Sequence, residues 1–437
     1  MKTILAPALF AALLATLPAT AAAKLSPAEA KMAAQVDAIY EPSVTLLQQL
    51  VDVNSGSMNF PGVTRIGEMM RAELEPLGFR VEWKPMAAAN RAGHIIATHT
   101  GKPGTKRLLL IGHLDTVFEK DSPFQKFTRK GDFAEGPGAG DDKGGMVVIL
   151  MALKAMKAAG TLAGATIEIV LTGDEEDSGD PIEVARADLI AAGKRADVAL
   201  DFEGLVVENG RDMGSIARRS SNSWTLTATG KAGHSSGIFS AGAGDGAIYE
   251  LARIVATFRK DLPEPNLTFN VGLIAGGQSA VFDADGVRAS ATGKSNIIPG
   301  IAIAKGDFRT LSEDQTARVK AKMTAIVATH APLTGAGIKF ESGGYPAMAP
   351  TDGNRAILTA LNGVNADLGL AEMPPLDPLK RGAGDISFVA NDVSGLAGLG
   401  PSSKGDHAPG ETVDLASMKR QAKRAAILMT RLSAQKR

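Results

Sequence analysis

From Pro27 to about Val53, apolar residues recur at three- and four-residue spacing, the period of a helix with one buried face. Residues 64–77 repeat that pattern and stop at Gly78. Period-two and continuous apolar runs follow: FRVEWK, AGHIIATHT and RLLLIGH read as strands. KGGMVVILMALKAMKAAG predicts a helix stopped by Gly160, and TIEIVLTG and ADVALDFEG predict two short buried strands. Strands alternating with helices predict an α/β fold, a mostly parallel mixed sheet with helices on both faces.

The pattern changes near residue 215. SNSWTLTATG alternates like a half-exposed strand, and a helix follows at about 242–259. LTFNVGLIAGG and IAIAKGDFRTL read as strands, 312–330 as a helix and AGIKFESGG as a closing strand. The order β-α-β-β-α-β is that of a ferredoxin-like α+β module. After about 345, helix, strand and loop patterns return, ending in a helix at 414–434. The predicted organisation is a discontinuous catalytic domain, 24–214 and 344–437, with a lid inserted at 215–343.

Composition narrows the function classes. Lys+Arg and Asp+Glu both total 47, so the net charge is zero and points to neither nucleic acid nor an anionic membrane as partner. Aromatic residues make up 5%, too few for base-stacking platforms. With no cysteine, disulfides and thiolate metal sites are excluded, and any metal must be held by His, Asp and Glu. At the N-terminus, Lys2 precedes the apolar run ILAPALFAALLATL, and Ala21-Ala22-Ala23 fits a small-residue cleavage site. Residues 1–23 therefore read as a signal peptide, the mature chain starts near Lys24, and the product is expected to be periplasmic or secreted. No second long apolar run follows, so no membrane span is expected in the mature chain.

Candidate chemistry sits just past apolar strands, where ligands gather in open α/β sheets. In LLLIGHLDTV, His113 leaves a strand and Asp115, two residues on, faces the same side. Asp115 can then fix the imidazole tautomer and free the other nitrogen for a metal. In GPGAGDDKGG the glycines lack the G-x-G-x-x-G spacing and no G-K-[ST] follows, which argues against a phosphate loop. They let the backbone bend so that Asp141 enters a crevice, leaving Asp142 to cap or face solvent. LTGDEEDSGD carries five acids after a core strand. Neighbouring side chains diverge, so Glu176 is placed to bind a metal and Glu175 to act on water. Asp174, Asp177 and Asp180 read as loop residues. ALDFEG offers Asp201 or Glu203, and spacing leaves the choice open. His407 stands in the loop PSSKGDHAPGE, while His94, His99 and His330 read as structural or surface residues. Two imidazoles and three carboxylates suit two Zn²⁺ ions about 3.5–4 Å apart sharing one carboxylate.

In order along the chain stand GHLDTV, GPGAGDDKGG, TGDEED, DFEG, GKAGHSSG, SNIIPG, GDFR, RGAGDIS and GDHAPGE. This series resembles the two-zinc metallopeptidase family of bacterial glutamate carboxypeptidase, aminoacylase, diaminopimelate desuccinylase and carnosine dipeptidase, the first most of all. The resemblance implies two zinc ions per subunit. His113 and Glu203 would ligate one, Glu176 and His407 the other, and Asp141 would bridge them. It also implies Asp115 as orienting acid and Glu175 as general base. His234 would polarise the scissile carbonyl, often in the partner subunit's site. Asn296 and Arg309 would grip a substrate carboxylate, and Gly382, Gly384 and Asp385 would form a substrate loop. The implied assembly is a homodimer through the lid, and the implied substrate a small peptide or N-acyl amino acid.

Three stretches depart from the family pattern. The connection 276–295 is long, Tyr345 stands where a basic residue is expected, and RGAGDIS replaces a Gly-Gly-Gly-Thr-type loop. Arg218 and Arg219, near the lid hinge, read as a solvated basic pair. The leading expectation is an exported zinc hydrolase that releases a C-terminal amino acid. Its alternatives are an N-acyl-amino-acid deacylase or dipeptidase on the same site, and an exported binding protein with no chemistry, against which Glu175 argues.

Overall fold

The computed structural model describes residues 25–437, so the signal segment read at 1–23 lies outside the described residues. The first helical run is two helices, α1 (Pro27–Ala38) and α2 (Tyr40–Val51), parted at Ile39. Ser26 and Glu29 close a reciprocal capping box at the start of α1. Helix α3 (Phe60–Leu74) follows and runs into a turn of 3₁₀ helix that ends on Gly78, whose φ of 100° is left-handed.

Strands β1 (Arg80–Pro85), β2 (Gly93–His99) and β3 (Arg107–His113) precede the long helix α4 (Lys143–Ala159). Then come β4 (Thr166–Thr172), α5 (Ala187–Arg195), which the sequence pattern left unread, and β5 (Val198–Asp201). The sheet order is β1-β2-β4-β3-β5, completed by the short strand Gly395–Leu396 beside β5. Pairings β4/β3, β3/β5 and β5/395–396 are parallel, and β1/β2 and β2/β4 are antiparallel. The sheet is therefore mixed, with its parallel half around β3.

Both faces of that half are covered. Leu108 and Leu110 of β3 pack with the α4 layer, while Leu109 and Ile111 pack with Leu189, Met348 and Ile386. Burial on both faces is why these strands read as continuous apolar runs. In register, His113 lies beside Thr172 and Ile111 beside Asp201, so three parallel strands end at one edge of the sheet.

The inserted module holds β6 (Asn222–Gly230), α6 (Ala247–Asp261), β7 (Thr268–Gly277), the hairpin β8 (Ser279–Phe282) and β9 (Ala289–Thr292), β10 (Ile301–Arg309), α7 (Glu313–Val327) and β11 (Thr334–Phe340). Its four main strands pair antiparallel in the order β7-β10-β6-β11, the ferredoxin-like arrangement. Trp224, Leu226, Ala304 and Phe308 bury one face of this sheet against α6 and α7. The long connection at 276–295 is the β8–β9 hairpin. The two chain crossings into the module lie side by side. Arg218 and Met348 exchange both backbone hydrogen bonds, as do Ser221 and Tyr345. Helices α8 (Asp352–Asp367) and α9 (Leu415–Ser433) return to the large core, and Asp414 caps α9 through the amides of Ala416 and Ser417.

Candidate active site

The site forms where β3, β4 and β5 end, and a buried carboxylate organises it. Asp115 is fully buried just past β3. Its Oδ2 accepts from the Ser57 hydroxyl at 2.5 Å and from the Glu176 amide at 3.1 Å. Its Oδ1 accepts from the Glu175 amide at 3.1 Å and lies 3.3 Å from His113 Nδ1. Nδ1 also faces the Asp115 carbonyl at 3.1 Å, so the Nδ1 proton points there and Nε2 turns to Asp141 Oδ1 at 3.0 Å. Burial opposes a charge on His113, but Asp115 and Asp141 outweigh it and hold its pKa well above the usual imidazole value.

Asp141 is delivered by the Gly-rich loop before α4. Glu411, buried and not assigned from sequence, holds that loop. Its Oε2 accepts from the Gly138 amide at 3.1 Å, and its Oε1 from the amides of Gly140 at 2.8 Å and Asp141 at 3.1 Å. Burial lifts Glu411 to about 7 against the pull of the Gly140 and Asp141 amides. Lys143, also buried, donates to the carbonyls of Val53 and Pro137 from beneath. Burial lowers its pKa to about 7. Asp142 neither faces solvent nor caps α4 through its side chain. It is fully buried, and its Oδ2 accepts from the His113 amide at 3.3 Å.

Asp141 stands between the two imidazoles. Its Oδ1 faces His113 Nε2, and its Oδ2 faces His407 Nε2 at 3.2 Å. His407 Nε2 is also 3.1 Å from Glu176 Oε2. The His407 backbone has a φ of 65°, left-handed and uncommon for a side chain of this size, within a loop that also bends at Gly405 and Gly410. Asp141 and Glu176 raise His407 to about 11, and burial raises Glu176 to about 7. Donor atoms of His113, Asp141 and Glu176 all lie within 4.8 Å of one another. Nitrogen and carboxylate oxygen donors converging at this spacing, with one carboxylate facing both imidazoles, fit a divalent metal centre.

Glu203 does not join that trio in the structure. Its Oε2 pairs with Arg218 Nη1 at 2.6 Å and Arg381 Nη2 at 3.3 Å. Arg218 is not the solvated residue its sequence context suggests. It is buried, and it pairs with Glu203 and, at 3.4 Å, with Asp201. It also donates to the carbonyls of Gly382 and Ala383 and so fixes the Gly-rich loop. Gly384 is needed there, because a Cβ would stand 2.5 Å from Arg218 and 2.7 Å from Glu203. Asp201 is fully buried deeper at the strand end, and burial lifts its pKa to about 8.

Two more acids depart from their sequence reading. Asp174 is not a plain loop residue and Asp385 does not offer its carboxylate to a ligand. Both are buried against Arg186, at 2.6 Å and 2.7 Å, and Asp385 also accepts from Thr172 Oγ1 at 2.5 Å. Arg186 donates further to the Tyr345 hydroxyl at 2.7 Å, and that hydroxyl donates to the Glu175 carbonyl at 2.8 Å. Tyr345, where a basic residue was expected, thus braces the Glu175 backbone. Burial, then the charge of Glu203, pushes the Glu175 carboxyl well above its usual pKa. His94 is structural: Nε2 faces the Ala185 carbonyl at 2.8 Å and Nδ1 accepts from the Gly173 amide.

From the inserted module, Arg309 reaches the Gly-rich loop: a Cβ on Gly382 would be 3.4 Å from its Nη1. His234 is exposed and pairs in register with Ile297, next to Asn296. Its Nδ1 lies 2.8 Å from Ser236 Oγ and accepts from the Ser236 amide, and among the described residues its side chain bonds to nothing outside the module.

The family model for peptidase family M20/M25/M40 matches residues 109–431. The chain belongs to this family. This M20 chain is 32% identical over 284 residues to carboxypeptidase G2 of Pseudomonas sp. (strain RS-16), covering 63% of this chain and 62% of that protein, so it spans about three fifths of that relative's length. It is 26% identical over 362 residues to succinyl-diaminopimelate desuccinylase of Xanthomonas oryzae pv. oryzae (strain MAFF 311018), covering 80% and 89% of the two chains. Its fold is that of a Bacillus subtilis protein described as a dinuclear metal-binding peptidase of the M20 family, with a TM-score of 0.62, 15% identity, and 91% and 99% of the chains covered. Membership makes the chain a hydrolytic enzyme of a metal-dependent family.

Two outcomes follow from this geometry. Glu411→Gln sets an NH₂ group against backbone amides that need an acceptor, which costs about 1–3 kcal/mol of stability and weakens metal binding about 10- to 100-fold. Thermal unfolding and metal competition with a chelator measure both, and an unchanged affinity would contradict the role given to Glu411. Metal binding should also release protons. With its pKa raised to about 11, metal-free His407 carries a proton at neutral pH that a metal must displace, whereas Glu176, raised to about 7, carries one only below that value. Proton release is therefore larger at pH 6 than at pH 8, and affinity falls more steeply with pH below 7. Calorimetry in buffers of different ionisation enthalpy reads this directly, and equal release at both pH values would refute it.

Proposed function

We propose that the chain is an exported two-zinc amidohydrolase that releases a C-terminal amino acid from a small peptide or N-acyl amino acid. One observation carries the reading: the Asp141 carboxylate faces His113 with one oxygen and His407 with the other, while Glu175 adjoins Glu176. Under it, His113 and Glu203 would hold one zinc, Glu176 and His407 the second, and Asp141 both, which requires Glu203 to leave Arg218 and Arg381. Bound there, the ions supply Lewis-acid stabilisation of negative charge and bring water near a neutral pKa. The dinuclear description of the Bacillus subtilis protein of like fold supports two ions.

The chain's own residues supply the rest. Glu175, its backbone held by Asp115 and Tyr345, takes the proton of the attacking water and hands it to the leaving amine. His234 donates to the developing oxyanion. Arg309 offers its planar fork, and Asn296 its amide, to the substrate carboxylate. Because His234 stays within its own module, the reading places it in a partner's site. Exposed Phe239, Ile248, Tyr249 and Ile274, beside the unpaired edge of β7, supply an apolar surface for a homodimer. Export rests on the N-terminal Lys2, apolar run and Ala-Ala-Ala site. Among the described residues no helix is long and apolar enough to cross a membrane. A deacylase on the same site is the second reading, favoured by the match that covers 89% of the desuccinylase.

Glu175→Gln should lower kcat by about 10²–10⁴ while the zinc content stays at the wild-type level. Elemental analysis beside a panel of dipeptides and acyl amino acids tests this, and full turnover with zinc bound would overturn the mechanism. Mixing inactive Glu175→Gln and His234→Ala proteins should restore activity, since one mixed site then holds both native residues. Sedimentation of a fully active monomer would rule out the shared site.

A further inference from the structure

The peptide that joins Glu175 to Glu176 is pinned at both ends. Its N–H, the Glu176 amide, donates to Asp115 Oδ2 at 3.1 Å. Its C=O, that of Glu175, accepts from the Tyr345 hydroxyl at 2.8 Å. A planar peptide held at both its donor and its acceptor is kept from turning, and the two side chains that flank it take their direction from that plane.

The hydrogen of the Tyr345 hydroxyl has one place to go. The phenol oxygen accepts from Arg186 Nη2 at 2.7 Å, and Ser178 Oγ stands 2.9 Å from it. With the phenol hydrogen on the Glu175 carbonyl, Ser178 is the donor of that pair, and both lone pairs of the oxygen are filled. The ring is held as well. It meets Phe388 edge-on with centroids 4.8 Å apart, and the Arg186 guanidinium lies 5.6 Å from its centre. At the crossing into the inserted module, the Tyr345 backbone exchanges two hydrogen bonds with Ser221. These contacts also account for a tyrosine where a basic residue was expected. Lysine or arginine could donate to the Glu175 carbonyl, but neither offers an acceptor to the fully buried Arg186.

We propose that Tyr345 is a positioning residue of the reaction. Its hydroxyl holds the Glu175–Glu176 peptide and so keeps the Glu175 carboxyl directed at the water it acts on. This rests on the reading of Glu175 as the base, and Tyr345 acts only through it.

Tyr345→Phe removes the hydroxyl and keeps the ring. In the zinc-loaded enzyme, with an N-acyl amino acid as substrate, it should lower kcat about tenfold and move KM less than about twofold. Action through Glu175 leaves a mark that a merely structural role does not. In a Glu175→Gln background, where the base is already gone, the same substitution should change kcat less than about twofold. An equal fall in both backgrounds, or full turnover in Tyr345→Phe, would overturn the proposal.

Hydrogen exchange gives a readout apart from turnover. Once its carbonyl is released, the peptide can swing its amide off Asp115. Exchange over residues 173–179 should then quicken about tenfold in Tyr345→Phe, while that over 166–171 in β4 stays as in the wild type. If the wild type hydrolyses no amide, the amidohydrolase reading fails. Faster exchange confined to the loop then still supports the hold on the peptide, and unchanged exchange refutes it. Should Tyr345→Phe not fold, Ser178→Ala carries the same comparison. It frees one lone pair of the phenol oxygen and lets the hydrogen turn from Glu175. The fall in kcat should be smaller, about threefold, and absent in the Glu175→Gln background. No fall, or an equal one in both backgrounds, would count against Tyr345 as decisively.

Discussion

The hydrogen bonds to Asp115 are the constraint on which the site depends. A carboxylate with no exposure to water must have its oxygens satisfied, and four groups from three chain segments do so: Ser57, His113 and the amides of Glu175 and Glu176. The end of β3 is thereby locked to the end of β4. Asp115 sets the imidazole tautomer of His113 through its carbonyl and carboxylate together, and the backbone directions of Glu175 and Glu176 through the carboxylate. The side chain of Glu175 and that of Glu176, which faces His407, are aimed by the same acceptor.

Around this anchor the protein arranges a layered alternation of charge. Glu411 collects the amides of the Gly138–Asp141 loop, Arg186 ties Asp174 to Asp385, and Arg218 ties Glu203 and Asp201 to the Gly-rich loop. These second partners contribute by holding loops that lack strand or helix hydrogen bonds of their own. Removing one member would leave its partner buried and uncompensated, a larger cost than the net worth of the pair. Tyr345 extends the arrangement to the hinge: its backbone pairs with Ser221 and its hydroxyl touches the Glu175 carbonyl. The position of the inserted module and that of Glu175 are therefore mechanically connected.

Most of the fold was legible because its strands are buried on both faces and its helices are amphipathic, so periodicity carried the signal. The β8–β9 hairpin appeared only as a long connection, because its strands are four residues each and mostly exposed, too short for a period to show. In the site, His113, Asp141, Glu176 and His407 stood out because each is an imidazole or carboxylate just past an apolar strand or in a Gly-rich loop. Arg186 and Glu411 did not, since a buried partner looks like any surface charge until its contact, far away in sequence, is known. Arg218 was misread for the same reason: nothing local in IARRSS distinguishes a solvated pair from one folded onto Glu203. Glu203 was chosen over Asp201 by resemblance alone, and the structure finds its carboxylate held by arginines.

The chain order of the site has a consequence for biosynthesis. His113, Asp141, Glu176 and Glu203 all precede the inserted module, whereas His407 and Glu411 follow it. The strand Gly395–Leu396, which completes the sheet beside β5, shortly precedes His407, and α9 follows Glu411. A nascent chain that has folded its module still lacks one imidazole and the carboxylate that shapes the Asp141 loop. Assembly of the candidate donor set is thus coupled to completion of the polypeptide, and a molecule shortened by its last tenth would keep most of those side chains but not the loop geometry that brings them together.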